Sequence, residues 1–575
     1  MVAVASTTYS LLDLSSAQRR CTVDCEKDLA SAVSDFAILA GGLATAAAAL
    51  LLIGQAPHYE WLMFGVWCAV LLPPVVFALR RDGRLERPAD TWSPTLAVPV
   101  CVIALLCIAG ALNLHLSSAV LIPDESAYRF QARVFGSGSL MAQAPPAGLV
   151  EGPTPTPLRY THHILVPWGW FAKYPVGFPL VLSAGQLLHM EWLVNPLLGA
   201  ILLVLTAMIA KNVFDVPCAT HAVVIAVLSP YFLGNVIGWI SHPLCAVLIA
   251  GAFFCCFRWM DTERIQFVIG MLLLLALTFH VRPFTAFLAA AVLAPISLIS
   301  AWRRQGTAIR LAGAWMITGV VVVATVLIYN WAYTGRALTS PYALYLGTST
   351  PPELAFSFQT LVVNAISYTR WGAQGTFLTT TPFLFLLAAY GMWRSSTHSL
   401  KVLALGSIFP LLCLGYAFNP MPSASRIGER FWFEGFFAVT ILGGYGILSL
   451  IRRFRARRST LRSTLAAVLV VQACIGVRVF GALVQEMDGY SVIRETAQGF
   501  EECGCAVFLD LGPQYYGEHL NLNSAEWQDA NVFYLVDPGS EHRETWARRF
   551  GFSKWNVISY DAEGRDVRVT KAFAE

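Results

Sequence analysis

Long apolar runs separated by short polar stretches recur from Phe36 to Leu483. About thirteen of them are read as spans, against the roughly 18–25 residues that cross a bilayer as a helix. The predicted spans are Phe36 to Gln55, Trp61 to Leu79, Thr95 to Leu121, Trp192 to Ala210, His221 to Ile240, Leu244 to Phe257, Phe267 to His280, Phe284 to Ala301, Ala312 to Tyr329, Phe377 to Trp393, Val402 to Phe418, Phe433 to Ile451 and Thr464 to Leu483. Between them, Pro175 to Leu188 is too short for a span and suits an interfacial or re-entrant helix. A second amphipathic stretch, Leu354 to Ile366, is expected along the interface.

Basic residues set the sidedness. Arg80-Arg81-Asp82-Gly83-Arg84-Leu85-Glu86-Arg87 and the cluster from Arg452 to Arg458 mark the cytoplasmic face, so the third span delivers Asp124 to the outer face. The polar segment Met1 to Ser34 lacks an h-region and a small-residue cleavage site and is expected in the cytoplasm. Beyond the last span the composition turns soluble. Short β-like runs, Cys505 to Leu511, Asn531 to Val536 and Trp555 to Tyr560, accompany a helical pattern from Glu541 to Phe550.

The fold class expected is therefore an all-α polytopic membrane protein with a small C-terminal extracytoplasmic α/β domain. Residues 1–34 form the cytoplasmic segment, 35–483 the membrane domain with an outer loop at 122–190, and 484–575 the outer domain. Composition agrees: 56% of residues are hydrophobic, 13% are charged and the mean hydropathy is +0.59. The formal net charge of +4 is too small, and its basic residues too dispersed, for a nucleic-acid partner. Most of the cysteines lie in spans and act as small apolar residues, and Cys503-Gly504-Cys505 is spaced too closely for an easy bridge.

Candidate chemistry concentrates on the outer loops. Asp124 and Glu125 sit just past a span, where carboxylates are either interfacial anchors or functional groups. Anchoring usually uses Lys, Arg, Trp or Tyr, and Ala127 to Arg133 reads as a helix that would fix the carboxylates' direction. Lys173 follows Trp168, Trp170 and Phe171, a setting equally suited to a snorkelling lysine and to a functional cation. His162-His163 could serve a phosphate, a metal, or neither. Arg282 lies at the outer ends of two spans. Arg426 and Arg430 are outer cations that oppose the positive-inside tendency, which argues for an anion, and a phosphate matches arginine's planar fork.

In chain order these pieces include Pro123-Asp124-Glu125-Ser126-Ala127-Tyr128, Lys173-Tyr174-Pro175-Val176-Gly177, Ser241-His242-Pro243, Arg282-Pro283, Asn330-Trp331-Ala332-Tyr333-Thr334-Gly335 with Pro341-Tyr342, and Arg430-Phe431-Trp432-Phe433-Glu434. Together they resemble the GT-C class of polytopic glycosyltransferases, in particular prokaryotic relatives of the protein O-mannosyltransferases and the lipid A aminoarabinose transferase. Two departures are Val176, where the pattern has a second proline, and three spans rather than one before the acidic loop.

The resemblance implies a polyprenyl-phosphate sugar donor, an extracytoplasmic glycan, lipid or protein acceptor, and an inverting transfer at the plasma membrane. It makes Asp124 the general base, with Glu125 orienting it or the acceptor, and puts Lys173, Arg282, Arg426 and Arg430 at the donor phosphate. Tyr128, His162, His163, His242 and Glu434 become possible substrate contacts, and a divalent metal is left open. The competing readings are a lipid-linked sugar flippase, with Asn195, Asn235, His280 and Arg478 marking a path, and a surface-polysaccharide polymerase or ligase.

Overall fold

The computed structural model describes residues 94–115, 122–145, 157–158, 160–304, 307–347, 358–360, 362, 384–395, 399–418, 424–425, 428–454, 492–500, 502–511, 520–524, 531–561 and 566–573. The first two predicted spans, the last, the start of the tenth and most of the 354–366 stretch lie outside them, as do Arg426 and Arg478. Residues 92–447 and 475–575 form one compact unit, which contains everything described below except residues 448–454.

The chain enters this unit on α1 (Pro94–His115) and turns at Pro123 into α2 (Pro123–Gly136). Proline at the first helical position gives up no hydrogen bond, since that N–H has no intrahelical acceptor, and Asp124 and Glu125 fill the first turn, where the helix dipole favours negative charge. A hairpin follows, β1 (His163–Val166) antiparallel to β2 (Gly169–Ala172), then α3 (Gly177–Leu187), the short helix expected at the interface.

The membrane helices come next: α4 (Glu191–Val213), α5 (Val216–Val227), α6 (Pro230–Val236), α7 (His242–Thr262), α8 (Ile265–Phe279), α9 (Pro283–Trp302) and α10 (Ala308–Thr334). After the short α11 (Pro341–Leu346) come α12 (Leu384–Arg394), α13 (Leu400–Tyr416), a β3–β4 bridge (Ala424–Ser425, Gly428–Glu429), a 3-10 turn (Arg430–Gly435) and α14 (Phe436–Arg453). Among the described residues five segments are long and apolar enough to cross a bilayer, or six if the bent pair α5–α6 counts as one. The chain is a multi-pass membrane protein. Only 11% of the most apolar stretch of α10 is buried, so its apolar side chains face outward, where lipid would cover them.

The predicted span from His221 to Ile240 is in fact broken, with α5 and α6 meeting at 70°. Pro230 removes a backbone donor, and the Ser229 hydroxyl accepts from Phe232 N–H to start the second helix. The chain then runs from Gly238 to Ile240 without helical hydrogen bonds. Its exposed polar groups are met from three sides. Asn113 Oδ1 accepts from Gly238 N–H at 2.6 Å, Glu125 Oε1 accepts from Trp239 N–H at 3.0 Å, and Asn195 Nδ2 donates to the carbonyls of Gly238 and Ile240. Irregular backbone at membrane depth requires such internal partners.

The C-terminal sheet has the order β6-β5-β7-β8: β5 (Cys505–Asp510) is parallel to β6 (Val532–Val536) and to β7 (Lys554–Asp561), and β8 (Asp566–Phe573) is antiparallel to β7. Helix α15 (Arg543–Arg549) connects β6 to β7. Residues 492–498 form a further helix before β5. Cys503 and Cys505 are bonded to each other, contrary to expectation, because Gly504 takes φ 61° and turns the chain tightly between them.

The hairpin joins the membrane helices to the sheet. Side chains alternate on a strand, so Ile164 and Phe171 pack on Tyr333 of α10 while Trp170 enters a core with Phe130, Phe508, Phe533 and Trp546. Burying a side chain such as Phe130 or Phe508 contributes on the order of 1.5–3 kcal/mol. Tyr160 and Val536 add hydrogen bonds across the join, to Tyr534 O and from Val536 N–H to Pro157 O.

Candidate active site

The start of α2 points Asp124 at residues that arrive from distant parts of the sequence. Arg430, first in the 3-10 turn, places Nη1 3.0 Å from Asp124 Oδ2. Tyr174 donates its hydroxyl proton to Asp124 Oδ1 in a short hydrogen bond, and His162 Nε2 lies 3.9 Å from the same oxygen. Burial alone would raise the Asp124 pKa, but Arg430, His162, the Tyr174 hydroxyl and Lys173 together hold it well below the usual carboxylate range. Burial and the neighbouring Asp124 charge push the Tyr174 phenol well above its ordinary value, which keeps it a donor.

Lys173 is 3% exposed, and its Nζ lies 4.4 Å from the Tyr342 ring centroid, 4.5 Å from Tyr345 and 5.2 Å from Tyr174. The aromatic faces stabilise the ammonium where water is scarce. Two backbone features aim this segment. His162 adopts φ 69°, a left-handed conformation that costs roughly 1–2 kcal/mol for a non-glycine residue, and its carbonyl accepts from Lys173 N–H. Gly177 presses on the α8–α9 turn and donates to His280 O at 2.8 Å; a Cβ there would sit 2.7 Å from that oxygen. The lysine loop is thereby fixed against the turn that carries Arg282.

Beside Asp124 lies a second charged group. Arg282 Nε is 3.0 Å from Glu434 Oε1, and His242 Nδ1 is 2.8 Å from the same oxygen. Arg282 also reaches Tyr416 OH at 3.3 Å and the Phe431 ring at 5.0 Å. Tyr128 links the two groups: its ring stacks on Tyr174 with centroids 4.4 Å apart, and its hydroxyl donates to Ser241 Oγ at 3.0 Å.

The structure thus brings together Asp124, Tyr128, His162, Lys173, His242, Arg282, Arg430 and Glu434. Glu125 points elsewhere: it is 1% exposed and binds the Trp239 N–H of the broken span. His163 turns into the core against Phe130 and Trp170, where burial lowers its pKa to about 3 and keeps it neutral. Arg426 lies outside the described residues. Tyr174, Tyr342, Tyr345 and Tyr416 were not singled out from the sequence, although Tyr174 and Tyr342 lie inside the quoted motifs. Among the described residues no group of three or more His, Cys, Asp or Glu side chains is arranged to hold a metal.

Of the residues named for the competing flippase path, the three that are described have local partners. Asn195 serves the broken span, Asn235 donates to Tyr231 O at 2.9 Å, and His280 Nε2 lies 3.0 Å from Thr325 Oγ1.

No family model and no curated protein matches the sequence. Among solved structures, the chain is similar to ArnT from Cupriavidus metallidurans bound to undecaprenyl phosphate, at 12% identity over 83% of this chain and 94% of that one, with a TM-score of 0.48. It is also similar to the Archaeoglobus fulgidus oligosaccharyltransferase in complex with Zn and sulfate, at 13% identity, 79% and 68% coverage, and a TM-score of 0.45. A third similarity is to the arabinosyltransferase EmbB from Mycobacterium smegmatis, at 14% identity, 76% and 45% coverage, and a TM-score of 0.38.

Proposed function

We propose that this protein is a membrane glycosyltransferase that moves a sugar from a polyprenyl-phosphate donor to a hydroxyl of an extracytoplasmic glycan, lipid or protein. The observation that carries the reading is one ionised carboxylate, Asp124, surrounded by Arg430, Tyr174 and Lys173 at the end of a membrane bundle. The acceptor oxygen attacks the anomeric carbon as its proton passes to Asp124. The bond from that carbon to the phosphate oxygen breaks on the opposite side, and its electron pair leaves with the polyprenyl phosphate. One displacement inverts the anomeric centre.

Lys173 and Arg282 supply positive charge where the leaving phosphate's charge develops, in surroundings that screen it poorly. Arg430 has a double part. While paired with Asp124 it keeps that carboxylate a weak base; drawn to a donor phosphate, it would let the Asp124 pKa rise toward the range of a useful base. Glu434 and His242 hold Arg282 in place. In this reading the N-terminus is cytoplasmic and the loop of Lys173 and the C-terminal sheet are outside. A surface-polysaccharide polymerase or ligase would differ only in its acceptor.

The test is to incubate purified protein with a lipid extract and acceptor fraction from a bacterial envelope and follow free polyprenyl phosphate. Release by the parental chain and none by Asp124→Asn supports the reading. Equal release by both would end it.

A further inference from the structure

The face of α2 turned away from Asp124 borders a second basic site. At about 100° per residue, Ser126, Arg129 and Arg133 fall roughly 140–200° around the helix from Asp124. They line a cavity of about 380 Å³ together with Arg494, Asn521 and Tyr534 from the C-terminal region. That volume lies within the range of about 300–1,000 Å³ typical of small-molecule sites.

Three guanidinium groups border this cavity, and no Asp or Glu is among its described lining residues. Glu191 pairs with Arg129 at 2.5 Å and is itself held by Gln186 at 2.8 Å. Arg133 donates to the carbonyls of Asn521 and Asn523 at 3.0 and 3.3 Å. Those partners leave donors over. Arg129 and Asn521 are more than nine-tenths buried, yet Arg129 Nε, Arg133 Nε and Asn521 Nδ2 have no hydrogen-bond acceptor among the described residues. A buried donor without an acceptor costs about 1–3 kcal/mol, and more where it is charged. The crowding has an electrostatic mark as well. Burial, then Arg129 and Arg494, lower the Arg133 pKa to about 9, and burial, then Arg129, lowers that of Arg494 to about 10; both remain cations at neutral pH.

We infer that this cavity is a binding site for a phosphate-bearing ligand, separate from the Asp124 centre and independent of the reaction proposed there. Planar guanidinium forks converging on one space match the several oxygens of a phosphate or pyrophosphate. The Asn521 amide adds a neutral donor to the same space. Gln498, Ser524 and Asn531 are exposed at its rim, which gives a ligand a way in.

The experiment is calorimetric titration of the full chain in detergent with inorganic pyrophosphate and, separately, with dihexanoyl phosphatidic acid. Saturable binding is expected, weakened tenfold or more in Arg133→Gln and in Arg494→Gln and unchanged in Lys173→Ala, which separates this site from the proposed donor site. Asn521→Asp places a carboxylate in the cavity with little change of shape; it should abolish binding and raise the thermal midpoint, a gain that an unfolded variant could not give. Tighter binding of the lipid identifies a membrane-borne phosphate, and tighter binding of pyrophosphate a soluble or glycan-borne one. Absence of saturable binding by the parental chain, or undiminished binding in the Arg133→Gln, Arg494→Gln double variant, would overturn the inference.

Discussion

Arg430 Nη1 lies 3.0 Å from Asp124 Oδ2, so the proposed base and one proposed donor cation are each other's partner. The pair ties the start of α2 to the turn before α14 across most of the sequence. It also makes the state of the base depend on what Arg430 touches.

The first prediction concerns pH. Asp124 titrates well below the ordinary value near 3.9 for its type, so the acid limb of kcat/KM, which reports the free enzyme, should lie below about pH 4. Arg430→Gln removes the largest charge that lowers it and should move that limb up by about 1–3 units. The same depression has a stability consequence. Because the folded value is the lower one, Asp124 stabilises the fold above its unfolded pKa, and this contribution is lost as pH falls through the folded value. A pH series of initial rates on both proteins decides the matter, and an unmoved limb in Arg430→Gln would refute the coupling.

Asp124→Asn should cost about 10² to 10⁴ in turnover while leaving donor affinity nearly intact. Glu125→Gln should be far milder, because a glutamine oxygen can still accept from Trp239 N–H. Turnover at saturating donor and donor affinity, measured side by side, separate the two; a larger loss from Glu125→Gln than from Asp124→Asn would reverse the assignment.

Lys173→Met keeps the bulk among Tyr174, Tyr342 and Tyr345 but removes the charge. Affinity for polyprenyl phosphate should fall about tenfold or more, the loss expected for a charged hydrogen bond. Titration of the purified variant in micelles checks this, and parental affinity would place the phosphate elsewhere.

Asn195→Leu should act on the fold. It leaves the carbonyls of Gly238 and Ile240 without the donor they share, at a cost of about 1–3 kcal/mol. The thermal midpoint in detergent should drop. An unchanged midpoint would mean that other donors reach those carbonyls.

Hydropathy located the helices that are apolar along their length, such as His242–Thr262 and Pro283–Trp302, to within a few residues. It passed over the break at Ser229-Pro230 because both halves are apolar and only the proline marks the bend. Asp124, Lys173, Arg282 and Arg430 were legible as outer charges at the ends of spans. Their pairing was not, since Arg430 and Asp124, or Glu434 and His242, are far apart in sequence and meet only through packing. His162 and His163 looked equivalent, but the turn at His162 and the start of β1 send their rings to opposite destinations. The tyrosines around Lys173 carry no charge pattern and come from two segments, Tyr174 beside the lysine and Tyr342 with Tyr345 on α11, which meet only through packing.

The interruption between α5 and α6 bears on how a buried acid is tolerated. A continuous helix over residues 216–240 would run about 37 Å, longer than the roughly 30 Å hydrocarbon layer, and would keep its amide protons for itself. Glu125 would then face Trp239 without a donor there. By forgoing its own bonding the interrupted helix turns backbone amides into anchorage for neighbouring side chains, and the position of α2, with Asp124 at its tip, is inherited from a defect in another helix.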